Sequence, residues 1–290
     1  MKVDCVLDSA CALGEGPYYD RESGRVLFVD IIDRKAHLLL PDSGRHETLA
    51  FPEPVSAIIP ARSGGYVATL ASRVVKVGEG GAIADFAVGD TNPACRANEA
   101  RTDSRGRLWV GTMQNNIGPN REDLPVTSSI GTLHRIDADG RATRFLEGIG
   151  ISNTLVWSPD DRTLYFADTI ANRIDAFDFD AEAGTIANRR PFVAGGPGGP
   201  DGSAMDAEGC LWNARWGAGC LIRTRPDGRE DRRIDLPVIQ PTSCVFGGPD
   251  LDTLYITSAR VSLREPGPLD GALLAIRPGV RGLPCHPFAG

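Results

Sequence analysis

Residues 106–112 read GRLWVGT, a turn followed by a short apolar strand, and the phrase recurs five more times along the chain. The other copies are GRVLFVD (24–30), GGYVATL (64–70), RTLYFAD (162–168), GCLWNAR (209–215) and DTLYITS (252–258). Their aromatic residues, Phe28, Tyr66, Trp109, Tyr165, Trp212 and Tyr255, are 38, 43, 56, 47 and 43 residues apart. A repeat of about 40 to 50 residues in strand-rich sequence marks a β-propeller, because each unit is a small sheet that buries its faces only against its neighbours. Six units take up nearly all of the 290 residues. The expected fold is therefore all-β: a single six-bladed β-propeller domain over residues 1–290, with four-stranded blades around a central channel.

Outward from each phrase the grammar is that of hairpins. A second alternating strand follows, as in GTLHRIDADG and CLIRTRPDG, and Asp-Gly, Ser-Gly or Pro-Gly signals close it. Another strand precedes the turn, starting 11 to 13 residues before the aromatic, near Glu15, Val55, Asn98, Asn153, Asp201 and Ser243. Radial packing places one strand of each blade along the channel. If the upstream strand is that one, these six residues form a ring at one mouth. A closing strand for the last blade is expected from the N-terminus, around Val3 to Leu7.

Composition narrows the function classes. Hydrophobic residues make up 41% of the chain, and no apolar run approaches the roughly 18 residues of a membrane span. The opening MKVDCVLDSACALGEGP carries acids and lacks the apolar segment of a signal peptide. The seven cysteines are an odd number without a CxxC pair, which reads as buried free thiols in a reducing compartment. A net charge of −7 with scattered basic residues speaks against nucleic acid or an anionic membrane as partner. The expectation is a cytoplasmic monomer acting on a small molecule.

Four of the six ring positions are oxygen donors: Glu15, Asn98, Asn153 and Asp201. Two carboxylates and two amides on one axis suit a hard divalent cation, and the absence of His and Cys from the ring speaks against a thiolate or imidazole zinc site. Asp201 lies in a Pro-Asp-Gly sequence that would by itself be an ordinary turn; equivalence with three other oxygen donors tips the reading towards a site. His37, His46, His134 and His286 fall away from the ring and read as structural.

In this order and spacing, the phrases LGEGP (13–17), RANE (96–99), GRLWVGTM (106–113), ISNTLVWSPD (151–160) and PDGSAMDAEGCLW (200–212) resemble the SMP-30/gluconolactonase/regucalcin family of six-bladed propellers. The likeness runs from Glu15 to the TSAR segment ending at Arg260. It implies one divalent metal ion on Glu15, Asn153 and Asp201, with Asn98 beside it, Arg96 contacting substrate, and hydrolysis of an aldonolactone to its sugar acid. Calcium, zinc, manganese and ferrous iron all remain open as the metal. Two positions depart from the family pattern. Glu99 is one methylene longer than the family's aspartate, and Thr127, Ser128 and Ser129 stand where regucalcin-like members carry an acid, so the reaction transfers better than the substrate.

The corresponding mechanism has the metal polarise the lactone carbonyl while Asp201 activates water as general base, a metal-bound hydroxide being the alternative. Arg96, Asn98, Glu99 and Met113 would bind the sugar. The longest gap holds a polar stretch beginning Gln114-Asn115-Asn116, expected either as a lid over the site or as a surface excursion. The glycine run at 195–199 would shape the approach to Asp201. No GxSxG nucleophile elbow occurs. Competing readings are a calcium- or ligand-binding propeller without turnover, a hydrolase of another lactone or ester, and an interaction scaffold.

Overall fold

A computed structural model describes residues 1–290, the Glu79 side chain apart. Six antiparallel sheets of four strands each make up the six blades. The inner strands are Gly14–Asp20, Val55–Pro60, Cys95–Thr102, Ser152–Trp157, Gly199–Met205 and Pro241–Gly247, in blades one to six. Each touches the inner strands of both neighbouring blades, so the upstream strands do line the channel and the ring is closed. Blade six is completed by the N-terminus, Asp4–Leu7 pairing antiparallel with Leu273–Ile276, close to the expected closing strand.

The repeating aromatics lie on the second strand of each blade and fill the wedges between blades. Trp212, for example, shares one apolar cluster with Phe28 of blade one and with Val245 and Phe246 of blade six. In blades three and five the tryptophan is also tied to the preceding turn. Trp109 Nε1 donates to Asp103 Oδ2 at 3.0 Å, and Trp212 Nε1 to Asp206 Oδ2 at 2.9 Å. The other oxygen of each carboxylate accepts backbone N–H groups of its own turn, those of Arg105 and Arg107 in one case and of Glu208 and Cys210 in the other.

Every inner strand breaks its ladder near the start. The interruptions fall between Glu15 and Tyr18, Val55 and Ala57, Ala97 and Ala100, Asn153 and Leu155, Pro200 and Ser203, and Pro241 and Ser243. Bulges of this kind re-aim side chains and release them from pairing. Gly16, at φ 55°, sits in the first, and a Cβ there would stand 2.7 Å from the Ser56 carbonyl oxygen of blade two.

One ring position must be corrected. Val55 is wholly buried in the apolar core, and the polar residue at that bulge is Ser56, whose Oγ lies 2.7 Å from Thr69 Oγ1. The aromatic ruler slips here because Tyr66 pairs with Pro60, the last residue of its inner strand. Trp109, Tyr165 and Trp212 pair one residue further in, with Arg101, Val156 and Ala204. A slip of one residue in a strand exchanges its two faces.

The far end of the channel is crossed by the C-terminal segment. Leu283 N donates to Met205 O at 3.1 Å, Phe288 N to Pro60 O at 2.8 Å and Ala289 N to Gly106 O at 2.9 Å, so the segment ties blades five, two and three together. All seven cysteines are free, and five of them are buried. No helix among the described residues is long and apolar enough to cross a membrane.

Candidate active site

At the mouth where the inner strands begin, three buried carboxyl groups converge: Glu15 from blade one, Glu99 from blade three and Asp201 from blade five. Burial raises all three, and repulsion between the carboxyls adds to it at Glu15 and Asp201. Glu15 is pushed up to about 8 by burial and then by the Glu99 charge, against the pull of the Gly16 N–H, Arg101 and Arg96. Asp201 is held well above the ordinary carboxylate range by burial, then by Glu15 and Glu99. Glu99 is raised by burial and lowered by Arg101, whose Nε lies 3.4 Å from its Oε1. Arg96 and Arg101 pull on Glu15 and Arg101 on Glu99, while the Asp201 charge acts on Arg215. All three carboxyls stay raised despite these cations, so the cluster is short of positive charge.

Asn153 completes the donor set. Its Nδ2 donates to Thr169 Oγ1 at 2.8 Å, and Thr169 Oγ1 in turn donates to the Pro200 carbonyl at 2.7 Å. That bond turns the amide so that Oδ1 faces Asn98, which donates to it from Nδ2 at 3.3 Å. Asn98 Nδ2 also donates to Ser152 O at 2.9 Å, and its Oδ1 accepts from Arg96 Nη1 at 2.7 Å. Asn98 therefore links Arg96 to Asn153. Met113 is directly opposite Arg96 in the ladder and 1% exposed, a buried neighbour of the cluster.

Among the described residues no three His, Cys, Asp or Glu side chains form a metal-holding group. The test for a cation falls instead on the mixed set Glu15, Asn153 and Asp201. Asp201 Oδ1 is buried and has no hydrogen-bond partner among the described residues. An orphaned carboxylate oxygen costs several kcal/mol unless something positive meets it, and hard oxygen donors suit a divalent cation. The residues present fit such an ion.

The stretch after Gln114 rises over this same mouth. Arg96 Nε donates to Asn116 Oδ1 at 2.9 Å, and Asn116 Nδ2 to Asp123 Oδ1 at 3.0 Å. From there the loop reaches blade one, through Arg121 Nη1 and Asp33 Oδ1 at 3.3 Å, and blade six, through Ser262 Oγ and Asp123 Oδ2 at 2.5 Å. Thr127 and Ser128 donate their backbone N–H groups to Gln114 Oε1 and so brace the base of the loop. With Nε and Nη1 engaged, Nη2 is the one nitrogen of the Arg96 guanidinium without a hydrogen bond among the described residues.

Two contributors escaped sequence reasoning. Thr169 lies in the turn after the second strand of blade four, outside every repeated phrase. Thr154 Oγ1 donates to Asp201 O at 2.5 Å from a left-handed backbone position, φ 51°. A cavity of about 350 Å³ lies at the opposite end of the channel, lined by Tyr18, Arg101, Trp157, Phe246 and Cys285 among others. None of the ring's oxygen donors borders it.

Residues 13–260 match the family model described as the SMP-30/gluconolactonase/LRE-like region. The chain is 34% identical to regucalcin of Sus scrofa over 100% of this chain and 99% of that one. It is also 34% identical to a pentonolactonase of Haloferax volcanii, over 89% of this chain and 86% of the other. A solved structure of a calcium-binding protein, regucalcin, from Agrobacterium tumefaciens superposes with a TM-score of 0.89 at 30% identity, covering 98% of this chain and 96% of that one.

Proposed function

Because the chain belongs to the SMP-30/gluconolactonase/LRE-like family, we propose that it is a metal-dependent lactonase that opens a sugar lactone, an aldonolactone, to the free sugar acid. The observation that carries this reading is the buried cluster of Glu15, Asn153 and Asp201 with Asp201 Oδ1 left unpartnered. Similarity to a pentonolactonase supports the reaction class. Glu15, Asn153 and Asp201 would hold a divalent cation, which would supply Lewis acidity at the lactone carbonyl. Asp201 takes a proton from the attacking water and returns it to the ring oxygen as the ester C–O bond breaks. Arg96 offers its free Nη2 to the sugar or to charge developing on the carbonyl oxygen, while Asn98 holds both Arg96 and Asn153 in place. Glu99, paired with Arg101, shapes the acidic wall. The loop beginning at Gln114 acts as a lid, since it grips Arg96 at one end and reaches blades one and six across the mouth.

The test is lactone opening followed with a pH indicator on xylono-, arabino-, galactono- and gluconolactone, with spontaneous hydrolysis subtracted. Chelator-treated protein is expected to be inactive and to regain turnover with calcium, zinc, manganese or ferrous iron. Asp201→Ala should lose at least about 100-fold in kcat. Lactone opening no faster than buffer with every metal sinks the proposal. A second reading, cation binding without turnover, is favoured by the calcium-binding neighbour. It forecasts a melting temperature raised by metal in a protein inert on the whole panel.

A further inference from the structure

Arg215, 2% exposed on the second strand of blade five, is a cation that forms no ion pair with a carboxylate among the described residues. It is among the largest wholly buried side chains of the molecule. Carbonyl and amide oxygens surround it instead. Nε donates to Pro197 O at 2.8 Å, and Nη2 donates to Gly195 O at 3.2 Å, to Gly198 O at 3.4 Å and to Asn172 Oδ1 at 2.9 Å. Nη1 donates to Asn213 Oδ1 at 3.2 Å. The guanidinium is thus wrapped by the glycine-rich connection that runs straight into Asp201. At Gly196 the wrapping is close, because a Cβ there would stand 2.8 Å from Arg215 Nη2.

Asn213 carries the constraint onward. Its Oδ1 is held by Arg215, so its Nδ2 is turned towards Asp201 O, 2.9 Å away, and Ser203 Oγ, 3.0 Å away. Asp201 is therefore fixed from both sides of the chain: residues 195–198 before it rest on the guanidinium, and its own carbonyl accepts from Asn213. Desolvating a guanidinium that makes no direct ion pair is costly, and the Asp201 charge acts on this one without such a contact. A purely packing role would be met by an apolar side chain of similar volume, whereas five oxygens from three segments require a planar, multiply donating group.

We propose that Arg215 is a positioning residue for the active site: acting through Asn213 and the 195–198 connection, it sets the direction in which the Asp201 carboxylate is presented to the bound cation. This rests on the reading of Asp201 as a metal ligand and base. Arg215 itself makes no hydrogen bond to the side chains of Glu15, Asn153 or Asp201.

The experiment uses Arg215→Lys and Arg215→Met in the full chain, checked for folding by circular dichroism and assayed well below their melting temperatures. Manganese affinity is measured by titration calorimetry, and kcat and KM on the best lactone. The expected result is a ~10- to 100-fold weaker manganese affinity for Arg215→Met, with kcat reduced and KM little changed. Arg215→Lys, which keeps the charge and part of the donor set, should recover part of both. Variants that melt earlier but bind manganese and turn over as wild type overturn the proposal and leave the lactonase reading standing. A wild-type chain that binds no divalent cation overturns both. If wild type binds manganese but opens no lactone, the affinity ratio between wild type and variants alone decides the role of Arg215. Should Arg215→Met not fold, Arg215→Lys decides by the same two readouts.

Discussion

At His37 burial and a second imidazole act in the same direction. The ring is stacked on Phe28 with centroids 4.5 Å apart, its Nδ1 is 3.0 Å from His46 Nε2, and its Nε2 is 3.8 Å from the buried Cys11 Sγ. Burial, then His46 and Lys35, push its pKa down to about 4, against a smaller opposite pull from Asp33. The native ring refuses a proton that the unfolded chain accepts at an ordinary value of 6.5. Its contribution to stability is therefore complete above about pH 6.5 and is lost as pH falls towards 4. The drop in melting temperature between pH 7 and pH 4.5 should be smaller in His37→Gln than in wild type, and equal drops would refute this account. The sequence reading of His37 as structural agrees with this environment. Its partners belong to different strands and turns, so no local pattern announced them.

At the scale of the single strand pair, the repeated aromatic phrase is a packing unit with its own clasp. Trp109 and Trp212 do more than fill the space between blades, since each indole N–H is donated to the aspartate six residues upstream that organises the preceding turn. Trp109→Phe keeps most of the apolar volume and removes only the donor, leaving Asp103 Oδ2 to Arg107 Nε at 2.7 Å. We expect this variant to lose about 1–3 kcal/mol in urea unfolding with kcat unchanged, because the clasp is at the end of blade three away from the mouth that holds Asp201. The inner strands show the limit of reading elements from sequence. Their bulges carry the chemistry, and a bulge has no compositional mark apart from an occasional glycine such as Gly16. Counting back from the aromatic succeeded where strand registers agree and failed at Val55, where the register is shifted by one.

Across the whole molecule the ring is closed twice, by the N-terminal strand in blade six and by the C-terminal segment over the far end of the channel. Phe288, wholly buried, is the anchor of the second closure. Phe288→Ala is expected to cost about 3–5 kcal/mol of stability while leaving cation affinity intact, since the anchor and the carboxylates occupy opposite ends; a matched loss of manganese binding would contradict that separation. The amino-acid sequence by itself determined the propeller, the number of blades, the channel strands and the candidates Glu15, Asn98, Asn153 and Asp201, because those follow from a periodic pattern and from residue types at equivalent positions. Only the tertiary structure decided what surrounds them: the unpartnered Asp201 Oδ1, the reach of the loop after Gln114 to blades one and six, and the Arg215 scaffold beneath the glycine run. Each of these joins residues from separate blades or connections, and a contact made by closing a ring leaves no mark in the local sequence of either partner.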